Sequence, residues 1–230
     1  MNAMKLALGL GLAAVVSACG ASDVVTRDAP FVSRTNIAAE PIAPQNVAGT
    51  ELQLLPAAIM QKVTVDRINV TVPASLSVSE ANRYYPGSDI VWREDPIGDR
   101  HAQVARIVED ALRSGTQSFQ GPVPVTLDVE VARFHAVTEK ARYTVGGTHS
   151  IIFTMQLRDS QTGAPLTEPK KIHADLDAFG GQQAILAEAR GQTQKVRISN
   201  HLAEVIRQEL LQPGGYENAR LGFFQLVNKI

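Results

Sequence analysis

The sequence predicts an α+β domain, a two-layer sandwich of about four mainly antiparallel strands covered by two amphipathic helices. Two observations predict it. Four stretches, near residues 62–72, 123–131, 151–157 and 172–178, place apolar residues at every second position, as half-buried strands do. Two others, near 104–112 and 198–210, repeat apolar residues at helical spacing, so each has one face to bury. The order is strand, helix, three strands, helix, which favours one sheet layer and one helix layer.

The N-terminus comes before any of these. Met1 to Lys5 is a short basic region, and Leu6 to Val16 is apolar with small residues. That run is too short to cross a bilayer core of about 30 Å. It ends in Val16-Ser17-Ala18-Cys19, an aliphatic residue, two small residues and a cysteine. A signal peptidase needs small side chains where it admits extended backbone, and the thiol can receive diacylglycerol. Residues 1–20 therefore resemble bacterial lipoprotein signal peptides. The resemblance implies cleavage between Ala18 and Cys19 and acylation of Cys19 with diacylglycerol and palmitate-like chains. Two or three chains anchor firmly, since each buried CH₂ contributes about 0.8 kcal/mol. Gly20 stands where aspartate marks inner-membrane retention in enteric bacteria, so the periplasmic face of the outer membrane is the expected address.

Residues 19–55 are expected to form a lipidated tether. Pro30, Pro41, Pro44 and Gly49 interrupt them and no period is sustained. The domain is expected over 56–213. In its first strand Val63 and Val65 alternate, then Ile68, Val70 and Val72, and the slip at Asp66-Arg67 predicts a bulge. Pro73 ends the strand, and 73–97 is a long connection. Asp99 is placed to cap a helix carrying Val104, Ile107, Val108, Ala111 and Leu112 on one face, with Gly115 and then Gly121-Pro122 as stops. Val123 to Val131 alternates strictly. Residues 138–147, with Gly146-Gly147, suit a hairpin turn. Ile151 to Leu157 is the third strand, Asp159 to Gly163 a turn, and Ile172 to Ala178 the fourth strand. A helical region over 182–211 is divided at Gly191, with Ile198, Leu202, Val205, Ile206 and Leu210 on one face, and Gln212-Pro213-Gly214-Gly215 ends it. The tail, 214–230, holds Leu221, Phe223, Phe224, Leu226, Val227 and Ile230, apolar enough to need a docking place.

Chemistry is harder to find. The formal net charge is −1, and removing residues 1–18 takes Lys5 away and leaves −2. That balance gives no electrostatic reason to expect nucleic acid. One cysteine excludes an intrachain disulfide and a multi-cysteine metal site. The five histidines, His101, His135, His149, His173 and His201, form no helix-face pair and no HExxH. His135, His149 and His173 fall on neighbouring strands, where hydrogen-bonded sheet histidines are the plainer reading. No GxSxG elbow is present. Glu94 and Asp95 are adjacent, so their side chains are expected to point apart rather than share a proton. Gly146-Gly147 and Gly180-Gly181 lack the lysine of a phosphate loop. No cofactor is expected, and the chain is expected not to be an enzyme, an envelope hydrolase being the weakest of the readings considered.

Tyr84-Tyr85-Pro86-Gly87 through Trp92-Arg93-Glu94-Asp95-Pro96 is the most distinctive stretch. It holds the only tryptophan and two of the four tyrosines. Aromatic and charged residues on a long loop suit a binding surface, with burial of Trp92 over the sheet or first helix as the alternative. Tyr84, Tyr85, Trp92, Arg93, Phe223 and Phe224 are the candidate partner-binding residues. Val72-Pro73-x-x-Leu76, the Trp92 to Pro96 segment and the helix that follows resemble lipoproteins of alphaproteobacteria whose activity is unknown. The layout is also loosely similar to auxiliary lipoproteins of ABC-type envelope lipid transporters. These resemblances imply no catalytic residues. The first brings no known activity. Three readings remain: a membrane-anchored interaction or accessory module whose partner is another envelope protein, an auxiliary transport subunit with an apolar groove or a partner-binding sheet edge, and an enzyme with a polar cleft.

Overall fold

A computed structural model describes residues 63–219. The signal peptide, the Ala18–Cys19 junction, the tether, the start of the domain at 56, and Phe223 and Phe224 lie outside the described residues.

Strands form in the four stretches where apolar residues alternate, as the sequence predicts, and one further two-residue strand lies in the expected connection over 73–97. They are β1 (Val63–Thr71), β2 (Ile90–Val91), β3 (Val123–His135), β4 (Gly147–Asp159), β5 (Lys170–His173) and β6 (Leu176–Ala178). The sheet order is β1-β3-β4-β5, with β2 beside β3 and β6 beside β4. β1 and β2 flank the same strand at different heights, and so do β5 and β6. The six strands thus fill four columns, as the four alternating stretches imply. β3 pairs antiparallel with β4, and β4 with β5 and β6. β1 runs parallel to β3. A parallel pair cannot be closed by a hairpin, and helix α1 (Arg100–Thr116) lies in the connection.

Three further helices follow: α2 (Glu139–Arg142), α3 (Gly181–Ala189) and α4 (Gln194–Leu211). The apolar stripes of α1 and α4 cover one face of the sheet. Val104, Ile107, Val108 and Leu112 from α1 and Ile198, Leu202, Val205 and Ile206 from α4 join Val125, Leu127, Phe153 and Leu157 in one core. The fold is therefore the expected α+β sandwich. Asp99 caps α1, its Oδ1 accepting from the Ala102 N–H at 3.0 Å, and Thr193 caps α4 through Val196. Gly191, at φ +75°, separates α3 from α4 where the sequence divides them. The bulge in β1 falls between Val65 and Arg67.

Gly115 departs from its expected role. It lies inside α1 rather than ending it, because the helix needs a bare backbone there to cross α4. A Cβ on Gly115 would meet the Ala203 carbonyl oxygen at 2.3 Å and Ile206 Cγ2 at 2.5 Å. The described start of the tail lies against the domain. Residues 214–219 pack on the domain: Glu209 accepts the Tyr216 N–H at 2.8 Å, and Asn218 bonds Asp175 through its own Nδ2 at 2.9 Å.

Gly115→Ala tests the helix crossing. Alanine improves helix propensity by about 1 kcal/mol, yet its methyl must push α4 away, at about 1–3 kcal/mol or more. The expected result is a net loss of stability in urea unfolding. A variant more stable than the parent would mean that the helices do not cross this closely.

Candidate functional site

The site is built by a change of phase in β3. Val125, Leu127, Val129 and Val131 face the core. A bulge between Val131 and Arg133 then inserts one residue, so Phe134 takes the next core position. Arg133 and His135 consequently sit on the face that the helices leave open. On β4, Thr148 and Ser150 share that face, while His149 and Ile151 are buried.

Two walls rise from this floor. One is the loop at Tyr84-Tyr85-Pro86, held mainly by groups other than its aromatic rings. His135 Nε2–H donates to the Pro86 carbonyl at 2.9 Å, Thr138 Oγ1–H to the Arg83 carbonyl at 2.8 Å, and the Lys140 N–H to Asn82 Oδ1 at 2.8 Å. The other wall is α2 and the turn after it, with Ala141 and Val145. The turn closes through Gly146 at φ +73°, where a Cβ would lie 2.5 Å from the Ala178 carbonyl oxygen. The groove between the walls has a volume of about 540 Å³ and is lined mostly by apolar atoms. Tyr85 and Val145 stand 83% and 70% exposed at its rim and Tyr84 42%. The Lys140 ammonium lies 4.8 Å above the Tyr84 ring.

Trp92 has the second of its two roles. It is fully buried, edge-on to Phe134 with ring centroids 5.7 Å apart, so it is core and not a partner-binding surface. Its Nε1–H donates to Asp95 Oδ2 at 2.8 Å. Arg93 is tied down too: its Nε–H donates to Glu139 Oε2 at 2.6 Å, and its Nη1 to the Glu80 carbonyl. It braces the groove wall rather than offering a free charge. Of the candidate residues, Tyr84 and Tyr85 alone line the groove among those described.

Glu94 and Asp95 also differ from expectation. They converge on one residue of α4 instead of pointing apart. Glu94 accepts the backbone N–H of Lys195 at 3.1 Å, at the positive end of the helix, and Asp95 accepts its ammonium at 2.9 Å. Glu94 also pairs with Arg142 at 3.3 Å. Arg142 Nη1 lies 2.8 Å from Glu188 Oε1, near enough for an ion pair but out of line for a hydrogen bond. These carboxylates hold helices together. Arg100, itself buried, binds Glu80 with Nε at 2.6 Å and Nη2 at 3.1 Å.

The histidines do not gather. His135 faces the groove, and burial lowers its pKa. His149 points into the core, its Nδ1 accepting the Val137 N–H at 3.4 Å. Burial first, then the charges of Arg197 and Arg142, push its pKa down to about 3. His173 is exposed on β5. Among the described residues no three His, Cys, Asp or Glu side chains are grouped to hold a metal ion. Sequence reasoning missed Arg133, Thr148, Ser150 and Val145. The break in alternation at Ala132-Arg133-Phe134 was a signal for the first of these.

Residues 63–226 match the family of unknown function DUF6778. No curated protein matches the chain in sequence. Among solved structures, a candidate lipoprotein from Caulobacter crescentus CB15 is 15% identical, with 49% of this chain and 84% of that chain covered and a TM-score of 0.31. A Xanthomonas campestris protein of family DUF330 is 14% identical, covering 66% and 85%, with a TM-score of 0.40. A PelC dodecamer from Paraburkholderia phytofirmans is 14% identical, covering 71% and 91%, at 0.29. These TM-scores are too low to bear on what the chain does.

The buried histidines set the pH dependence of stability. His149, His135 and His201 all have folded pKa values lowered mainly by burial. A lowered histidine pKa means that the unfolded chain binds the proton more tightly. Stability is therefore full above the unfolded value of 6.5 and falls as pH drops toward the folded value, about 3 for His149. His149 alone should cost about 2 kcal/mol between pH 7 and pH 5, a range above that in which the carboxylates titrate. Urea unfolding at the two pH values measures the loss. His149→Gln should shrink it by about that amount, and an undiminished loss in the variant would show that His149 is not its source.

Proposed function

We propose that this chain, which belongs to the DUF6778 family of unknown function, is a membrane-anchored lipoprotein that works as a non-enzymatic interaction or accessory module of the cell envelope and meets its partner through the groove beside Tyr84 and Tyr85. The observation that carries the binding role is the groove: aromatic and aliphatic side chains stand exposed around a cleft of about 540 Å³ on a braced floor. Monomeric proteins rarely leave such residues together in water without a use for them. The Val16 to Cys19 lipobox supports the anchor, and Gly20 supports the periplasmic face of the outer membrane. No described helix is long and apolar enough to cross a membrane. A non-enzymatic role fits the engagement of the charged groups nearest the loop: Arg93, Glu94 and Asp95 hold structure, and His135 is committed to a backbone carbonyl.

A second reading, an auxiliary subunit of an ABC-type lipid or solute transport complex, draws support from the same groove, because that role calls for an apolar cleft. The partner separates the two. Capture of a permease or ATPase favours the second, and capture of any other envelope protein the first.

Two expectations test the proposal. Cys19→Ser should release the protein from the membrane fraction, and a variant that stays there after a high-salt wash would refute lipid anchoring. In crosslinked cells, the double variant Tyr84→Ala, Tyr85→Ala should lose partner capture by about tenfold or more, since each exposed ring offers about 1.5–3 kcal/mol of burial to a complex. Its melting temperature should hold, because neither ring is in the core. Full capture by this variant would place the interaction elsewhere.

A further inference from the structure

We infer that the groove is a site for a small organic anion, with an apolar or aromatic body against Tyr84, Tyr85 and Val145 and its anionic group on Arg133. The inference rests on the groove being a binding cleft and adds the chemistry of what it takes.

Charge complementarity carries it. Arg133 lines the groove, and among the described residues its guanidinium has no ion-pair or hydrogen-bond partner. The Lys140 ammonium, over the Tyr84 ring, adds a second cation beside the same wall and is not ion-paired among the described residues. Two acids lie nearby, and neither makes an ion pair with Arg133 among the described residues. Glu139 is bound by Arg93 at 2.6 Å. Asp89 is held by the Ser77 hydroxyl and N–H, at 2.7 and 2.9 Å, and these bonds, with the charge of Arg133, keep its carboxyl below the usual range. The groove's other polar side chains on the sheet floor are the hydroxyls of Thr148 and Ser150, both able to donate. His135 donates its N–H to Pro86, and burial lowers its pKa. Among the described residues no carboxylate lines the groove to repel an anion. A guanidinium and two hydroxyls set in a mostly apolar cleft select an apolar molecule with one negative group. At about 540 Å³ the groove lies in the range of small-ligand sites, roughly 300–1,000 Å³.

Fluorescent probes test this directly. Anilinonaphthalene sulfonate is an aromatic anion, and phenylnaphthylamine is its neutral counterpart. Both are titrated into the full chain carrying Cys19→Ser, so that no detergent is needed. The anion should bind saturably. Arg133→Gln should weaken it about tenfold and leave the neutral probe unchanged, while Arg133→Lys should restore part of the loss. Tyr85→Ala should weaken both probes. Ile97→Ser, which removes an apolar residue 90% exposed outside the groove lining, should weaken neither. The inference is overturned if Arg133→Gln leaves the anion's affinity unchanged, if it weakens both probes equally, or if Ile97→Ser mimics Tyr85→Ala. Envelope capture is read separately. A protein that binds the anion through Arg133 but captures no partner fails as an interaction module and keeps its anion site.

Discussion

The groove side of the molecule depends on how Trp92 is seated. A buried indole brings a large apolar surface and one N–H that must find an acceptor, or it costs about 1–3 kcal/mol. Asp95 is that acceptor, but a carboxylate drawn into the protein needs a counter-charge of its own. Lys195 supplies it from the first turn of α4. Asp95 is kept ionised by its bonds to Lys195 and Trp92, which outweigh the opposing effect of burial. Packing, acceptor and counter-charge thus form one chain of necessity running from the sheet to the helix. Glu94 follows Trp92 by two residues and reaches the N–H of the same lysine. A connection of more than twenty residues between β1 and α1 is fixed in this way with only a two-residue strand of its own.

The division of labour within that clamp follows from magnitudes. Truncating a buried tryptophan to alanine costs about 3–5 kcal/mol, whereas a partly exposed ion pair contributes about 0–1 kcal/mol. Stability therefore comes from Trp92 against Phe134. The pairs from Arg93 to Glu139 and from Lys195 to Asp95 decide orientation: they set where the loop leaves the core and how α2 stands beside it. Arg100 is the exception in strength. It is buried, and its Nη1 alone reaches two carbonyls and Gln103 besides the Glu80 carboxylate held by its other nitrogens, so its desolvation is well compensated.

Much of the fold was legible because it is local. Alternation at Val123 to Val131, the slip at Asp66, the cap at Asp99 and the break at Gly191 are each written within a few residues, and each stands in the structure. What escaped depends on distant partners. Gly115 reads as a helix stop in isolation, and only the approach of Ala203 explains why a bare backbone is needed inside the helix. Glu94 and Asp95 were expected to diverge, as neighbours on regular backbone do. The connection is irregular, and one lysine from α4 meets both. Of the site, Tyr84 and Tyr85 were found because aromatic and charged residues on a long loop suit a binding surface. Arg133 was not, because the strict alternation ends at Val131 and only the bulge that follows turns Arg133 to the open face. The short helix α2 lay hidden in what reads as a polar turn, since four residues are too few to show a period.

The arrangement also explains why an open groove can sit at this end of the sheet without weakening the fold. Its loop is attached through the Pro86 and Arg83 carbonyls and the Asn82 side chain, which accept from His135, Thr138 and the Lys140 N–H. Those bonds hold the main chain and leave the tyrosine rings out of the core. Tyrosine loses little entropy on being fixed, having two side-chain torsions, and offers both an apolar face and a hydroxyl. The floor is rigid because β3 and β4 are also the central strands of the core, so Arg133 is placed by the same ladder that seats Phe134. The bulge between Val131 and Arg133 joins the two sides of the sheet. It returns Phe134 to the core, where Trp92 needs it, and in the same step turns Arg133 outward. The packing that anchors the loop and the charge exposed in the groove are therefore two consequences of one inserted residue.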